Sequence, residues 1–116
     1  MTSSPLTIFE SHSGGVCVLG FGGRIDSTNA ADALARLQQA MAAGEKALLV
    51  DLAAVRYLTS AAFRVLLVAS DAAESGAVRF ALCNVVGQVR ELFEMGGLLD
   101  AFTVHGSRED AVVHLS

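Results

Sequence analysis

VDLAAVRYLTSAAFRVLL, residues Val50–Leu67, sets the arrangement of the rest of this chain. An apolar run over 47–52 predicts a buried strand. A helix is predicted soon after it, because apolar residues recur on one helical face at Ala62, Val65, Leu66 and Ala69. Thr59 and Ser60 therefore lie where a helix N-terminus is expected to meet solvent. A hydroxyl there can cap the helix, and the same end attracts an anion such as phosphate.

The hydroxyl of Ser60 is the main candidate for a modification site. Phosphorylation would add about −1.5 to −2 charges at a helix end that tolerates an anion. Arg64, one helical turn further on, could pair with the phosphate. Thr59 is the alternative acceptor, and either hydroxyl could instead serve only as the helix cap. We expect a phosphate here to change binding rather than folding.

The remaining elements are predicted from apolar periodicity and turn residues. Segments 6–10 and 16–21 read as an antiparallel hairpin around a Ser- and Gly-rich turn at 11–15. Further strands are expected at 47–52, 78–83 and 102–105. Helices are expected from Ala30 to a stop at Gly44, over 61–74, over 85–95, and after a capping box at Ser107–Asp110. This order predicts one domain, 1–116, of the α/β class. Its sheet is expected to be mixed but mostly parallel, with about five strands and about four helices.

Asp51-Leu52, followed by YLTSAAFRVLL at 57–67, resembles the signature of STAS domains, the fold of bacterial anti-sigma factor antagonists. That signature reads Asp-Leu, a few residues, an apolar pair, then Asp-Ser-Ser-Gly-Leu and an apolar helix. The resemblance places the family's phosphorylated serine on Ser60. Thr59 stands where the family usually has Asp, and Ala61 and Ala62 stand where it has the second Ser and Gly.

The resemblance implies a regulator that exchanges binding partners. The unphosphorylated protein would bind an anti-sigma factor or serine-protein kinase-like partner and so free that partner's other client. The kinase would supply ATP, this chain would supply the acceptor hydroxyl, and a phosphatase would reset it. No cofactor and no catalytic residue are expected in this chain.

The stretch Gly20–Asn29 is the second informative segment. Its glycines have neither the dinucleotide-binding spacing nor that of a phosphate loop with its Lys. It resembles the STAS segment Gly-Arg-Leu-Asp, which implies a loop beside the phosphoserine on the face that docks the kinase. Capping and solvation would explain its polar residues equally well, as packing at a helix end would explain Met95. The expected partner-binding residues are Arg24, Asp26, Asn29, Thr59, Ser60, Arg64 and Met95.

Composition disfavours several classes of function. The net charge is −4 and the basic residues are scattered, which argues against nucleic acid as a partner. No run approaches the roughly 20 apolar residues of a membrane span, and residues 1–5 do not resemble a secretory signal, so we expect a cytoplasmic protein. Cys17 and Cys83 are expected to be buried thiols. His12, His105 and His114 show no metal-binding or triad spacing, so no metal site is expected.

Two other functions remain open at this stage. The altered quartet at 59–62 is compatible with a STAS module that does not switch, such as a scaffold in a stress-sensing assembly or an accessory of a lipid transporter. A small α/β enzyme is the third possibility. It is disfavoured because no acid, base and nucleophile converge in the sequence.

Overall fold

Residues 6–116 are described by a computed structural model of the chain; the expectation about a signal at residues 1–5 lies outside them. Their strands are β1 Thr7–Ser13, β2 Val16–Ile25, β3 Ala47–Leu58, β4 Arg79–Cys83 and β5 Val104–His105. Their helices are α1 Ala30–Ala42, α2 Ser60–Ser75, α3 Gly87–Met95 and α4 Arg108–Leu115, with a 3₁₀ turn at Leu99–Ala101. The strands lie in the order β1-β2-β3-β4-β5, with β1 antiparallel to β2 and the other pairs parallel. The predicted mixed, mostly parallel α/β fold is confirmed.

The inner strand β2 contributes to apolar layers on both faces of the sheet. Cys17, Leu19 and Phe21 pack in the larger core, with buried residues of α1, α2 and α3. Val16 and Val18 point to the opposite face, where they pack in a smaller core with Ala111 and Leu115 of α4. Because side chains alternate along a strand, a strand covered on both faces is apolar throughout. The strand β2 is accordingly an inner strand, paired with β1 on one side and with β3 on the other.

The turn between β1 and β2 is shorter than predicted. It consists of Gly14 and Gly15, whose φ values are 59° and 82°. Two consecutive residues with positive φ make the tight turn that matches the twist of a hairpin, and glycine adopts that conformation readily. As a result, residues 11–13 belong to β1 rather than to a loop, and the last pair of the hairpin is Ser13 with Val16.

The strands β2 and β3 are both longer than predicted, by four and six residues. Parallel pairing between β2 and β3 continues as far as Ile25 opposite Leu58. It therefore includes most of 22–26, which was predicted as a loop after β2, and the predicted connection after Leu52. The register shifts at Gly20/Gly22 and again at Gly23/Arg24, so irregular pairing replaces the expected strand ends. This extension carries the start of α1 and the start of α2 to one edge of the sheet.

The other differences are small. The helix α2 begins at Ser60, one residue earlier than predicted, and α3 begins at Gly87 rather than 85 because Val86 is still extended, with φ −134° and ψ 165°. Cys17 and Cys83 are buried free thiols, as predicted. No helix between residues 6 and 116 combines the length and apolar character needed to cross a lipid bilayer.

Candidate functional site

Ser60 is the first residue of α2, and its side chain is exposed. The residue before it, Thr59, is extended, with φ −95° and ψ 176°, and its carbonyl accepts from the N–H groups of Ala62 at 3.0 Å and Phe63 at 3.2 Å. Since Thr59 closes the first turn through its backbone, Ser60 is left at the helix tip. The hydroxyl predicted as a modification site is therefore open to solvent.

The hydroxyl of Thr59 serves a different purpose. It donates to the Ile25 carbonyl at 3.3 Å, and the Thr59 N–H donates to the same oxygen at 3.1 Å. Thr59 is half-buried, and its two hydrogen bonds hold the start of α2 against the end of β2. The expectation that one of these hydroxyls caps α2 is wrong, because no side chain of the described residues caps this helix.

Arg24 and Asp26 lie directly beside this helix start. The Arg24 guanidinium lies 4.6 Å from the centre of the Tyr57 ring, and its Nε is 3.4 Å from an oxygen of Asp26. Hydrogen bonds from the hydroxyl and backbone N–H of Thr28 hold the pKa of Asp26 below its ordinary value, with a smaller contribution from Arg24. Asp26 is therefore an anion at neutral pH, one residue beyond Ile25.

Asn29 holds the β2–α1 loop together. Its side-chain oxygen accepts from the Asp26 N–H at 3.0 Å, and its side-chain nitrogen donates to the Arg24 carbonyl at 2.9 Å. Asn29 is only 7% exposed. A partner could contact little of this side chain, so any part it plays in docking is to hold Arg24 and Asp26 in place.

A cleft of about 270 Å³ opens between the first turns of α1 and α2, beside Ser60. Its walls are Ala30, Ala31 and Leu34 from α1, and Ser60, Ala61, Arg64 and Val65 from α2. Exposed Arg64 thus shares this cleft with Ser60, as its position one turn further on predicts. We refer to Arg24, Asp26, Ser60 and Arg64 together as the Ser60 surface.

Met95 is not part of the Ser60 surface. It is 84% exposed, but it lies at the C-terminal end of α3 and does not line the cleft. Its side chain is accessible, so the prediction that it contacts a partner stays a prediction.

Asp51 has a structural role that the sequence analysis did not predict, since there it was noted only as part of the STAS signature. It is 4% exposed, and one of its oxygens accepts from Arg108 at 2.9 and 3.1 Å. The other oxygen accepts from Asn84 at 3.0 Å and from the Ala53 N–H at 2.9 Å. Burial alone would raise the pKa of Asp51, but these donors outweigh it and the pKa is lowered. The sequence did contain a signal for this role: Asp51 is the single charged residue in an apolar run, and a buried carboxylate needs hydrogen-bond or ionic partners.

The comparisons with known proteins agree with this architecture. The model of the STAS domain family matches residues 11–111. BtrV of Bordetella bronchiseptica, described as a candidate anti-sigma factor antagonist, is 35% identical over 89 residues, which make up 77% of this chain and 77% of that protein. The match therefore extends over most of both chains.

Three solved structures, of two proteins, share the fold. An anti-sigma factor antagonist from Mycobacterium paratuberculosis has a TM-score of 0.86 at 23% identity and covers 98% of both chains. SpoIIAA, also an anti-sigma factor antagonist, has a TM-score of 0.77 at 18% identity in its unphosphorylated form, covering 93% of this chain and 95% of its own. Its phosphorylated form, from Bacillus, has 0.72 at 17%, covering 95% and 100%. At these identities the structures establish a shared fold.

Proposed function

This chain belongs to the STAS domain family, and from that premise we propose that it is an anti-sigma factor antagonist that switches partners. It binds an anti-sigma factor or serine kinase-type partner through the Ser60 surface. Phosphorylation of Ser60 by that kinase ends the interaction, and a phosphatase restores it. The exposure of Ser60 at the tip of α2 is the observation that carries this proposal.

The choice of Ser60 over Thr59 follows from their contacts. Thr59 already donates its hydroxyl to the Ile25 carbonyl and is half-buried, so its phosphorylation would have to break one of the two hydrogen bonds by which Thr59 joins α2 to β2. Ser60 lies beside an open cleft. A kinase could therefore reach Ser60 without disturbing the fold.

A phosphate on Ser60 is compatible with the folded structure. No side chain of residues 6–116 caps the first turn of α2, and that turn contains no acidic residue, so its N–H groups and the helix dipole favour an anion there. Arg64 shares the cleft and supplies a positive charge. The folded state should therefore tolerate the modification.

The same phosphate would alter the charge of the docking surface. Before modification, the Ser60 surface has two arginines and one carboxylate. A phosphate adds about −1.5 to −2 charges to a surface that already carries the anionic Asp26. An acidic group on the partner that is suited to Arg24 or Arg64 would then face a like charge, which weakens an interface strongly. Release of the partner is the expected result.

A module that binds without switching is the second candidate. Thr59 in place of the family's usual Asp favours it, because the loss of a carboxylate next to the acceptor removes a group that a kinase could recognise. The exposed surface would then serve as a permanent contact in a larger assembly. The two candidates differ in whether Ser60 is modified.

Phosphate mapping tests the first candidate. The protein is incubated with ATP, magnesium and a serine kinase of the anti-sigma factor class from the same organism, and the phosphate is located by mass spectrometry. We expect one phosphate, on Ser60, none in Ser60→Ala, and its removal by a phosphatase. Phosphate only on Thr59, or none on a chain that still binds the kinase, would overturn the proposed switch.

Binding measurements complete the test. Ser60→Asp should bind the kinase-type partner at least about 10-fold more weakly than the unmodified chain, or about 1.4 kcal/mol. Ala72→Asp is the matched control, because it adds the same charge at an exposed position of α2 away from the cleft. Equal binding by Ser60→Asp and the control would favour the scaffold.

A further inference from the structure

A second group of polar side chains lies at the opposite end of β2 from Ser60. Potential metal-ligand atoms of Glu10, His12 and Cys17 all lie within 4.8 Å of one another. Cys17 stands at the start of β2 and Ile25 at its end, so about 26 Å of strand separates the two regions. We call Glu10, His12 and Cys17 the hairpin cluster. It is independent of the Ser60 surface.

The strand register explains why these residues meet. In the β1–β2 hairpin His12 pairs with Cys17 and Glu10 pairs with Leu19. Glu10 and His12 are two residues apart, so they project from the same face of β1 as Cys17 does from β2. The sequence showed no metal-binding spacing because one of the three residues comes from the neighbouring strand.

The hydrogen bonds around His12 resemble those of a histidine prepared to bind a metal. Its Nε2 lies 2.7 Å from Glu10 Oε2, and its Nδ1 lies 2.6 Å from Glu45 Oε1. Metal-binding histidines commonly hold a carboxylate on the nitrogen that faces away from the metal, which fixes the ring orientation. Glu45 has that position. Arg36 Nη2 holds the other oxygen of Glu10 at 2.9 Å, leaving Oε2 directed at His12.

We propose that Glu10, His12 and Cys17 bind one Zn²⁺ ion, with Glu45 orienting the His12 ring and Arg36 orienting Glu10. The three ligands supply one oxygen, one nitrogen and one sulfur, a set that suits zinc and not the oxygen-seeking Mg²⁺ or Ca²⁺. Zinc bonds of about 2.0 to 2.3 Å place tetrahedral ligand atoms about 3.3 to 3.8 Å apart. The present separations are 2.7 Å between Glu10 Oε2 and His12 Nε2 and no more than 4.8 Å for the other pairs. Shifts of about 1 to 1.5 Å would therefore bring the three atoms to tetrahedral spacing, and water would take the fourth position.

Zinc binding couples to the protons of the hairpin cluster. A zinc-bound cysteine is a thiolate, and the imidazole nitrogen that holds the ion carries no proton. Any proton on Cys17 Sγ or His12 Nε2 would therefore pass to solvent when the ion binds.

Metal titration of the full chain tests this proposal. Zn²⁺ competed against a chromogenic chelator should bind with one-to-one stoichiometry, and excess Mg²⁺ or Ca²⁺ should not displace it. Co²⁺ should bind at the same site and show a sulfur-to-cobalt charge-transfer band in the near ultraviolet. Zn²⁺ should also raise the thermal unfolding midpoint.

Variants then assign the ligands. His12→Ala, an exposed position, should weaken zinc binding at least about 100-fold, and Glu45→Gln should weaken it about 10- to 100-fold. Cys17→Ala should remove the cobalt charge-transfer band. His105→Ala and Cys83→Ala are the matched controls, since they remove a histidine and a buried thiol outside the hairpin cluster.

Three outcomes would overturn the zinc site: no binding at micromolar zinc, unchanged affinity in His12→Ala, or no charge-transfer band in the unmodified chain. If Cys17→Ala fails to fold, the cobalt spectrum of the unmodified chain still decides whether sulfur is a ligand. None of these measurements involves the kinase-type partner. Failure of the zinc site is therefore distinguishable from failure of the proposed switch.

Discussion

At the scale of single residues, adjacent hydroxyl groups have different roles at the start of α2. Thr59 donates to the Ile25 carbonyl and joins two elements, whereas Ser60 projects into solvent. The difference arises because an N-cap residue is extended and the next residue is already helical, which turns their side chains in different directions. Modification of Ser60 can therefore act on binding, while a change at Thr59 acts on structure.

Asp51 supplies a prediction at the same scale. Its pKa is below the ordinary value of 3.8 in the folded state, so its charge stabilises the fold above that pH, and the stabilisation is lost as the pH falls through the folded pKa. Asp51→Asn should lower the free energy of unfolding by about 2 kcal/mol at pH 7, and the difference from the unmodified chain should shrink in acid. Urea unfolding at several pH values measures it.

Asp71→Asn is the control for this experiment, because Asp71 is an exposed carboxylate on α2. Its effect should stay within about 0.5 kcal/mol. A loss of stability in Asp51→Asn that is the same at pH 7 and at pH 3 would show that packing, rather than the charge of Asp51, accounts for it.

At the scale of elements, α2 and α4 begin in different ways. The start of α4 is capped by Ser107, whose hydroxyl accepts from the Asp110 N–H at 3.1 Å. This bond confirms one half of the capping box predicted at Ser107–Asp110; among residues 6–116 no side chain returns the second bond to the Ser107 N–H. The start of α2 has no side-chain cap among the described residues and is held instead by its backbone bond to β2. An uncapped start leaves the N–H groups of α2 available to an anion.

The cap of α4 gives the prediction at this scale. Ser107→Ala should cost about 1 kcal/mol of stability, because it leaves the Asp110 N–H without its acceptor. Ser75→Ala, at the exposed last residue of α2, is the control and should change stability by no more than about 0.5 kcal/mol. Thermal and urea unfolding measure both. Equal effects of the two substitutions would mean that the Ser107 bond contributes nothing.

At the scale of the whole molecule, an aromatic group links the parts of the larger core. Phe93 of α3 is fully buried and packs edge-to-face with Phe63 of α2, at 4.9 Å between ring centres, and with Phe102, at 5.9 Å. Phe102 lies two residues before the start of β5. Since helices and strand share this core, we expect the described domain to unfold as one unit.

Phe93→Ala should therefore lower the stability of the whole domain by about 3 to 5 kcal/mol, through lost burial and a new cavity. Circular dichroism and the fluorescence of Tyr57, the only tyrosine in a chain without tryptophan, should report the same midpoint. Val113→Ala, at a 72% exposed position of α4, is the control and should have little effect. Separate midpoints for the two signals would contradict unfolding as one unit.

The sequence by itself determined the fold class, the element order and the position of Ser60 at a helix start. These follow from apolar periodicity and local turn chemistry, which a short stretch of chain expresses without its neighbours. It placed the ends of β2 and β3 too early, because glycines that look like a loop continue as irregular strand when a neighbouring strand pairs with them.

Only the tertiary structure decided which distant groups meet. Asp51 with Arg108, Thr59 with Ile25, and Glu10 with His12 and Cys17 are contacts made across strands and layers. The strand register sets such contacts, and a shift of one residue would turn each side chain to the other face of the sheet. A short stretch of sequence does not specify that register. The ion pair of Asp51 with Arg108 at the start of α4, and the hairpin cluster, could therefore be recognised only in the folded chain.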